Sequence, residues 1–198
     1  KLKIKSTLFV ISKETRKMFD YAIGFDADTK RCGLVFADLN NKKILHTYNE
    51  DILDIVQIVL PELLKQYKVK NRYMFARIEI PTFQTAVSVN MHKKSRIDFA
   101  QGVFDSARCA EVANIFKRSC LSYGITHTSI KSSNRVRCDY GHAKQFSPEQ
   151  LMQYASDQHR RNKFLTKINR EKAMQIFPSM NIVNSETIDA ALLIPEII

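Results

Sequence analysis

The stretch from Tyr21 to Tyr48 constrains the fold more than any other part of the chain. It holds three β-compatible apolar runs, Tyr21–Asp26, Arg31–Asp38 and Lys43–Tyr48. Short polar turns, Asp28-Thr29-Lys30 and then Asn40-Asn41, join them. Strands linked so briefly read as an antiparallel meander. The first run, Tyr21-Ala22-Ile23-Gly24-Phe25, ends on the carboxylate of Asp26, with a second acid at Asp28. A strand that carries an acid to its tip needs a chemical reason in a chain whose formal net charge is +11.

After the meander the period lengthens to that of a helix. Between Glu50 and Lys68, Ile52, Ile55, Val56, Val59, Leu63 and Tyr67 line one helical face. Pro61 falls inside this segment and predicts a kink or two abutting helices. Arg72–Ile80 returns to strand, and its run Tyr73-Met74-Phe75-Ala76 is the pattern of a strand covered on both faces. Glu79 stands at its end, just before Pro81. Lys93–Leu121 is a long helix candidate, with Ile97, Ala100, Phe104, Ala107 and Ala110 at helical spacing. Ile125–Lys131 is a fifth strand. A helix over Ser147–Lys163 is predicted from Ser147 as N-cap and Pro148 at the first position. A short helix over Asn169–Phe177 ends at Pro178, and a closing helix over Glu186–Leu193 takes Ser185 as its N-cap. Three strands followed by alternating helices and strands give an α/β mixed sheet with helices on both faces. In such sheets, sites gather beyond the carboxyl ends of the strands.

The bulk composition narrows the class. At 198 residues the chain suits one domain with a real core, over 19–198, preceded by a basic extension at 1–18. No apolar run approaches the ~18–20 residues a bilayer span requires. The basic start, Lys1 to Lys5, precedes only the short patch Leu8–Ile11, too brief for a secretory signal. The expectation is an intracellular protein, not secreted, with no membrane and no small-molecule cofactor among its partners. Four scattered cysteines with no CxxC pair read as reduced thiols. Cys138-x3-His142, with His127 or His159, offers only a loose zinc spacing. The charge points to a polyanion, nucleic acid before membrane, because no basic amphipathic helix stands out.

The acids resolve the paradox of the strand tip. Asp26 and Glu79 each end an apolar strand, so parallel neighbours would bring them to one rim. Glu186 and Asp189, three apart, project from one face of the last helix, and Ala190 and Ala191 let that helix approach the sheet closely. Carboxylates so close must hold protons or bind cations. Hard oxygen ligands suit Mg²⁺ or Mn²⁺. Two ions about 3.5–4 Å apart stabilise both the attacking and the leaving oxygen of a phosphodiester. The ordinary readings are a turn acid at Asp26, a solvated strand end at Glu79, and first-turn acids at Glu186 and Asp189.

"IGFDADTKRCG", "FARIEIP" and "ETIDAALL" together resemble the three acidic motifs of the RuvC-type Holliday-junction resolvases. The resemblance covers roughly residues 20–131 and 165–194. It implies a ribonuclease-H-like fold with a five-stranded sheet and a homodimer that nicks four-way or branched DNA in recombination and repair. It also implies two Mg²⁺ per site, with Mn²⁺ able to substitute. Asp26, Glu79, Glu186 and Asp189 match the catalytic, metal-holding acids. Asp28 matches a turn residue, and Glu186 stands where Asp is commoner. Lys172 matches a catalytic lysine, Lys131 a DNA-binding lysine, and Phe83 an aromatic that wedges against junction bases.

The chain departs from the compact family pattern at 132–164. That expected insertion carries Arg135, Arg137, Lys144, Arg160, Arg161 and Lys163 against Asp139, Glu149 and Asp157. It is read as an extended DNA footprint or a solvated loop. Tyr140, Phe146 and Tyr154 interleave there as base-stacking candidates or a small local core. Ala100, Ala107, Ala110 and Ala113 make the long helix the candidate dimer element. Rival readings are a nuclease acting on other branched DNA or RNA–DNA hybrids, an inactive junction-binding module, and an actin-type or sugar-kinase-type phosphotransferase. The last needs glycine-rich phosphate loops, and this chain has five isolated glycines.

Overall fold

A computed structural model describes residues 19–67, 73–81, 96–131, 149, 158–178 and 184–194. Phe83, Arg135, Arg137, Lys144, Tyr140, Phe146 and Tyr154 lie outside the described residues, as do positions 1–18. The meander forms β1 (Tyr21–Asp26), β2 (Cys32–Asp38) and β3 (Lys43–Glu50). A helical segment follows: α1 (Ile52–Asp54), a π-helical turn (Ile55–Val59) and α2 (Leu60–Tyr67). Then come β4 (Met74–Ile80), α3 (Arg96–Ser122), β5 (Thr126–Lys131), α4 (Gln158–Ile176) and α5 (Ser185–Ala191).

The sheet order is β3-β2-β1-β4-β5. β2 runs antiparallel to β1 and to β3, because short turns join the three. β4 runs parallel to β1 and β5 parallel to β4. Parallel returns need long crossovers, and helical segments supply both. This mixed five-stranded sheet with helices on both faces is the α/β architecture expected from the sequence. β1 sits at its centre and is paired on both edges, so its C-terminal end is the natural focus of the fold.

Strand alternation sorts the side chains into two cores. On one face Ile23, Phe25, Leu34, Phe36, Met74, Ala76 and Ile78 pack against Ile55 and Leu63 of the helical segment and against Ala113, Phe116 and Cys120 of α3. Phe25 and Phe116 stack with ring centroids 3.9 Å apart. On the other face Ala22, Val35, Ala37 and Phe75 meet Ala173 and Phe177 of α4 and Ile188, Ala190 and Ala191 of α5. At the sheet edge His46 Nε2 and Tyr67 Oη are hydrogen-bonded at 2.6 Å, which ties the end of α2 to β3.

Several local expectations need correction. Around Pro61 the segment is divided into abutting helical pieces: a π-helical turn precedes the α-helix that contains the proline, and Leu60 N–H donates to Ile55 O. Proline has no N–H and its ring blocks the carbonyl four residues earlier, so a widened turn accommodates it. The break expected between the helices over Ser147–Lys163 and Asn169–Phe177 does not form: α4 runs unbroken from Gln158 through residue 164 to Ile176, while 147–148 and 150–157 lie outside the described residues. No Gly or Pro lies in that span to stop it. The closing helix is capped by Asn184, not Ser185. In α3, Ala113 is buried against the sheet, which removes it from the expected dimer contact. The exposed stripe of α3 instead holds Ala100, Phe104 and Ala107.

Candidate active site

Ala22, Gly24 and Asp26 share one face of β1, because side chains alternate along a strand. Ala22 belongs to the core under α4 and α5, so half-buried Asp26 opens toward that side at the end of the strand. In the antiparallel ladder Asp26 pairs with Gly33. A Cβ on Gly33 would run into the backbone carbonyl of Glu186 and lie 3.1 Å from the Glu186 Cβ. A Cβ on Gly24 would likewise run into the Ala190 carbonyl and lie 3.2 Å from Ile194 Cγ1. The two glycines thus form a bare track on which α5 crosses from β2 to β1. Buried Asp189 precedes Ala190, directly beside the second anchor point.

The parallel partner supplies the next acid. Phe25 pairs with Ile78, so one step further Asp26 and Glu79 stand level. Glu79 is 6% exposed and shares its face with Phe75, which packs in the α4–α5 core. Asp26, Glu79, Glu186 and Asp189 therefore occupy one face and one end of the sheet. Lys131 pairs with Ile80, which places it at that same end. Lys172 is half-buried on α4, next to Ala173 of the same core. Arg160, Arg161 and Lys163 fall near the start of α4, with Lys163 exposed.

Local hydrogen bonds orient these elements. The Asn184 side chain accepts from Thr187 N–H at 3.0 Å, and Thr187 Oγ1 accepts in return from Asn184 N–H at 3.5 Å. This capping box fixes the first turn of α5, where Ser185 Oγ donates to Glu186 Oε1 at 2.9 Å. Asp28 Oδ1 accepts from Lys30 N–H at 2.8 Å, the turn role expected of it. Cys32 Sγ donates to Asp28 O at 3.4 Å. Burial pushes the Cys32 thiol up to about 11, with the charges of Asp28 and Asp26 adding to the effect. Cys109 on α3 is also raised, first by burial and then by Asp28 and Asp26, so α3 passes near the turn that follows β1.

Sequence reasoning passed over Arg77. It is 8% exposed on the same face as Glu79, and it pairs in register with Gly24. The available signal was a lone cation inside the apolar run "MFARIEI". Asn169 on α4 is also buried, at 3% exposed, and was not singled out.

The acids suit a metal in their chemistry. Four carboxylates with no thiolate or imidazole among them form a donor set for a hard divalent ion. Among the described residues, however, no three His, Cys, Asp or Glu side chains lie close enough to hold an ion as they stand. Of the loose zinc set, Cys138 and His142 lie outside the described residues, while His127 is on β5 and His159 on α4. Among the described residues no helix is long and apolar enough to cross a membrane.

No protein-family model matches this sequence. A search of curated proteins likewise finds no match. Among solved structures, the chain is similar to Thermus thermophilus RuvC in complex with a Holliday junction substrate, at 13% identity and a TM-score of 0.45, over 87% of this chain and 89% of that one. It is also similar to a Thermus thermophilus RuvC structure at 13% identity and a TM-score of 0.41, over 87% of this chain and 90% of that one.

Proposed function

We propose that this chain is a divalent-metal-dependent endonuclease that resolves four-way DNA junctions. The observation that carries the reading is the level placement of Asp26 and Glu79 on adjacent parallel strands, with α5 seated on Gly33 and Gly24 beside them. Asp26, Glu79, Glu186 and Asp189 are the residues that would hold Mg²⁺ or Mn²⁺. When bound, such ions polarise the scissile phosphate and activate water for hydrolysis.

The chain's own residues do the rest. Asp26 and Glu79 present carboxylate oxygens from a rigid sheet, so their separation is set by strand spacing and not by loop motion. The Asn184 cap holds Glu186 in the first turn of α5. Lys172 and Lys131 stand on elements bordering the acid face and carry positive charge for the phosphate backbone. A net charge of +11 supports a polyanionic substrate, since phosphate contacts supply most sequence-independent affinity.

Paired nicking calls for two copies related by a two-fold axis. On α3 the exposed positions Ala100, Phe104, Ala107, Glu111, Asn114, Arg118 and Leu121 recur alternately four and three apart, the spacing of a coiled-coil seam. About a two-fold axis near Asn114, an antiparallel copy would set Glu111 against Arg118 and Ala107 against Leu121. Leu121 is 61% exposed and Phe104 58%, the latter with the Arg108 guanidinium 5.7 Å from its ring centroid.

The test is a synthetic four-way junction, labelled in turn on each strand, incubated with the purified protein beside duplex DNA and an RNA–DNA hybrid. Paired nicks in the junction with Mg²⁺, and none in chelator, are expected. If the hybrid is cut and the junction is not, the substrate assignment is wrong. If no substrate is cut with either ion, the enzymatic reading fails.

A further inference from the structure

Arg77 is a buried cation that the proposed chemistry does not use. Met74, Ala76 and Ile78 of β4 face the core under α3, so Phe75, Arg77 and Glu79 face α4 and α5. Arg77 is only 8% exposed. A guanidinium cannot shed its proton in a protein, so its burial is costly unless opposite charge stands against it. The carboxylates on its own face are few and close in register. Glu79 lies two residues further along the same strand. Asp26 lies two residues beyond Gly24, the register partner of Arg77. Asp189 adjoins Ala190, whose carbonyl rests on Gly24. Asp26, Arg77, Glu79 and Asp189 are each engaged in at least one hydrogen-bonded, ring or electrostatic interaction.

We infer that Arg77 is the internal counter-cation of the acid rim. With no divalent ion bound, its charge balances Asp26, Glu79 and Asp189 and lets mutually repelling carboxylates assemble on one face. When an ion arrives, Arg77 opposes it, because both draw on the same negative charge. Arg77 is therefore a positioning residue that trades metal affinity for stability of the acid rim without metal. The inference rests on the proposal that these acids hold a divalent metal, and the experiment separates the two.

Mn²⁺ binding is measured on the full chain by electron paramagnetic resonance for the parent, Asp26→Asn, Arg77→Met and Arg77→Lys, with thermal unfolding recorded with and without Mn²⁺. Arg77→Met keeps the bulk of the stem and removes the charge. It is expected to bind Mn²⁺ about tenfold more tightly than the parent, since a repelling unit charge is gone. It should also melt lower than the parent without metal and regain most of that loss with Mn²⁺. Arg77→Lys, which keeps the charge, should stay within about threefold of the parent. An Arg77→Met variant with the parent's affinity overturns the counter-cation role alone. A parent with no Asp26-dependent Mn²⁺ binding overturns the metal reading and this inference together. If Arg77→Met does not fold, the double variant Arg77→Met/Glu79→Gln, which removes charge of both signs, should recover a cooperative transition. No recovery in the double variant overturns the role as well.

Discussion

The backbone of Glu186 rests on Gly33, a contact between residues more than 150 positions apart in sequence. Gly33 is the ladder partner of Asp26, so this one contact sets an acid near the end of the chain beside an acid near its start. The missing side chain at Gly33 is what permits the approach.

Gly33→Ala should therefore displace α5 and separate the acids. The expected stability loss is about 1–3 kcal/mol from overpacking, with junction cleavage reduced by more than the folded fraction explains. Gly124→Ala is the control. Nothing lies within 4 Å of a Cβ there, but the backbone has φ +67. It should cost about 1 kcal/mol through backbone strain and leave cleavage by the folded protein unchanged. Equal cleavage by parent and Gly33→Ala would show that α5 placement does not matter to the reaction.

Asn184 is a cap with a functional position. Asn184→Ala removes the acceptor for Thr187 N–H and should cost about 1 kcal/mol in chemical denaturation, with a disproportionate loss of cleavage. Asn184→Asp keeps the acceptor and should retain both properties. If Ala and Asp behave alike, the cap is not what orients Glu186.

Alkaline stability should report the buried thiols. Burial pushes Cys32 up to about 11 and Cys120 up to about 12, from an ordinary 9.0. As pH climbs past 9 the unfolded chain ionises these thiols while the fold keeps them neutral. Their stabilisation is thus complete below pH 9 and lost progressively toward 11 and 12. Cys120→Ala should start from a lower stability, because it leaves a small cavity, and should decline less steeply. Parallel alkaline declines in the two proteins would contradict the assignment.

The α3 seam makes a prediction in sedimentation. Leu121→Asp should shift the protein toward monomer. Glu111→Arg and Arg118→Glu should each weaken association, and together restore it, because the antiparallel partners are exchanged. A double variant as weakly associated as the singles would rule out that pairing.

The strand tips were legible because their signals are local. Tyr21–Asp26 shows as an apolar run closed by an acid, and short turns dictate that β2 and β3 reverse. The register that makes Asp26 level with Glu79 is not local, since it depends on a helical crossover and on packing across both faces. Gly24 and Gly33 are visible as letters, but what lies on them appears only when α5 folds back from the far end of the chain. The α4 helix was split because apolar periodicity weakens around residue 164, although no breaker stands there. Arg77 escaped notice because a charged residue in a strand reads first as a solvated position, and only the fold shows that it is buried.

The most direct test of the account is cleavage by Asp26→Asn. Asparagine keeps the shape of the side chain and removes the charge that a divalent ion requires. The account predicts that the variant binds a four-way junction about as tightly as the parent and fails to nick it at any Mg²⁺ or Mn²⁺ concentration. Nicking at the parental rate would contradict it, because the acid at the tip of β1 would then have no part in the chemistry.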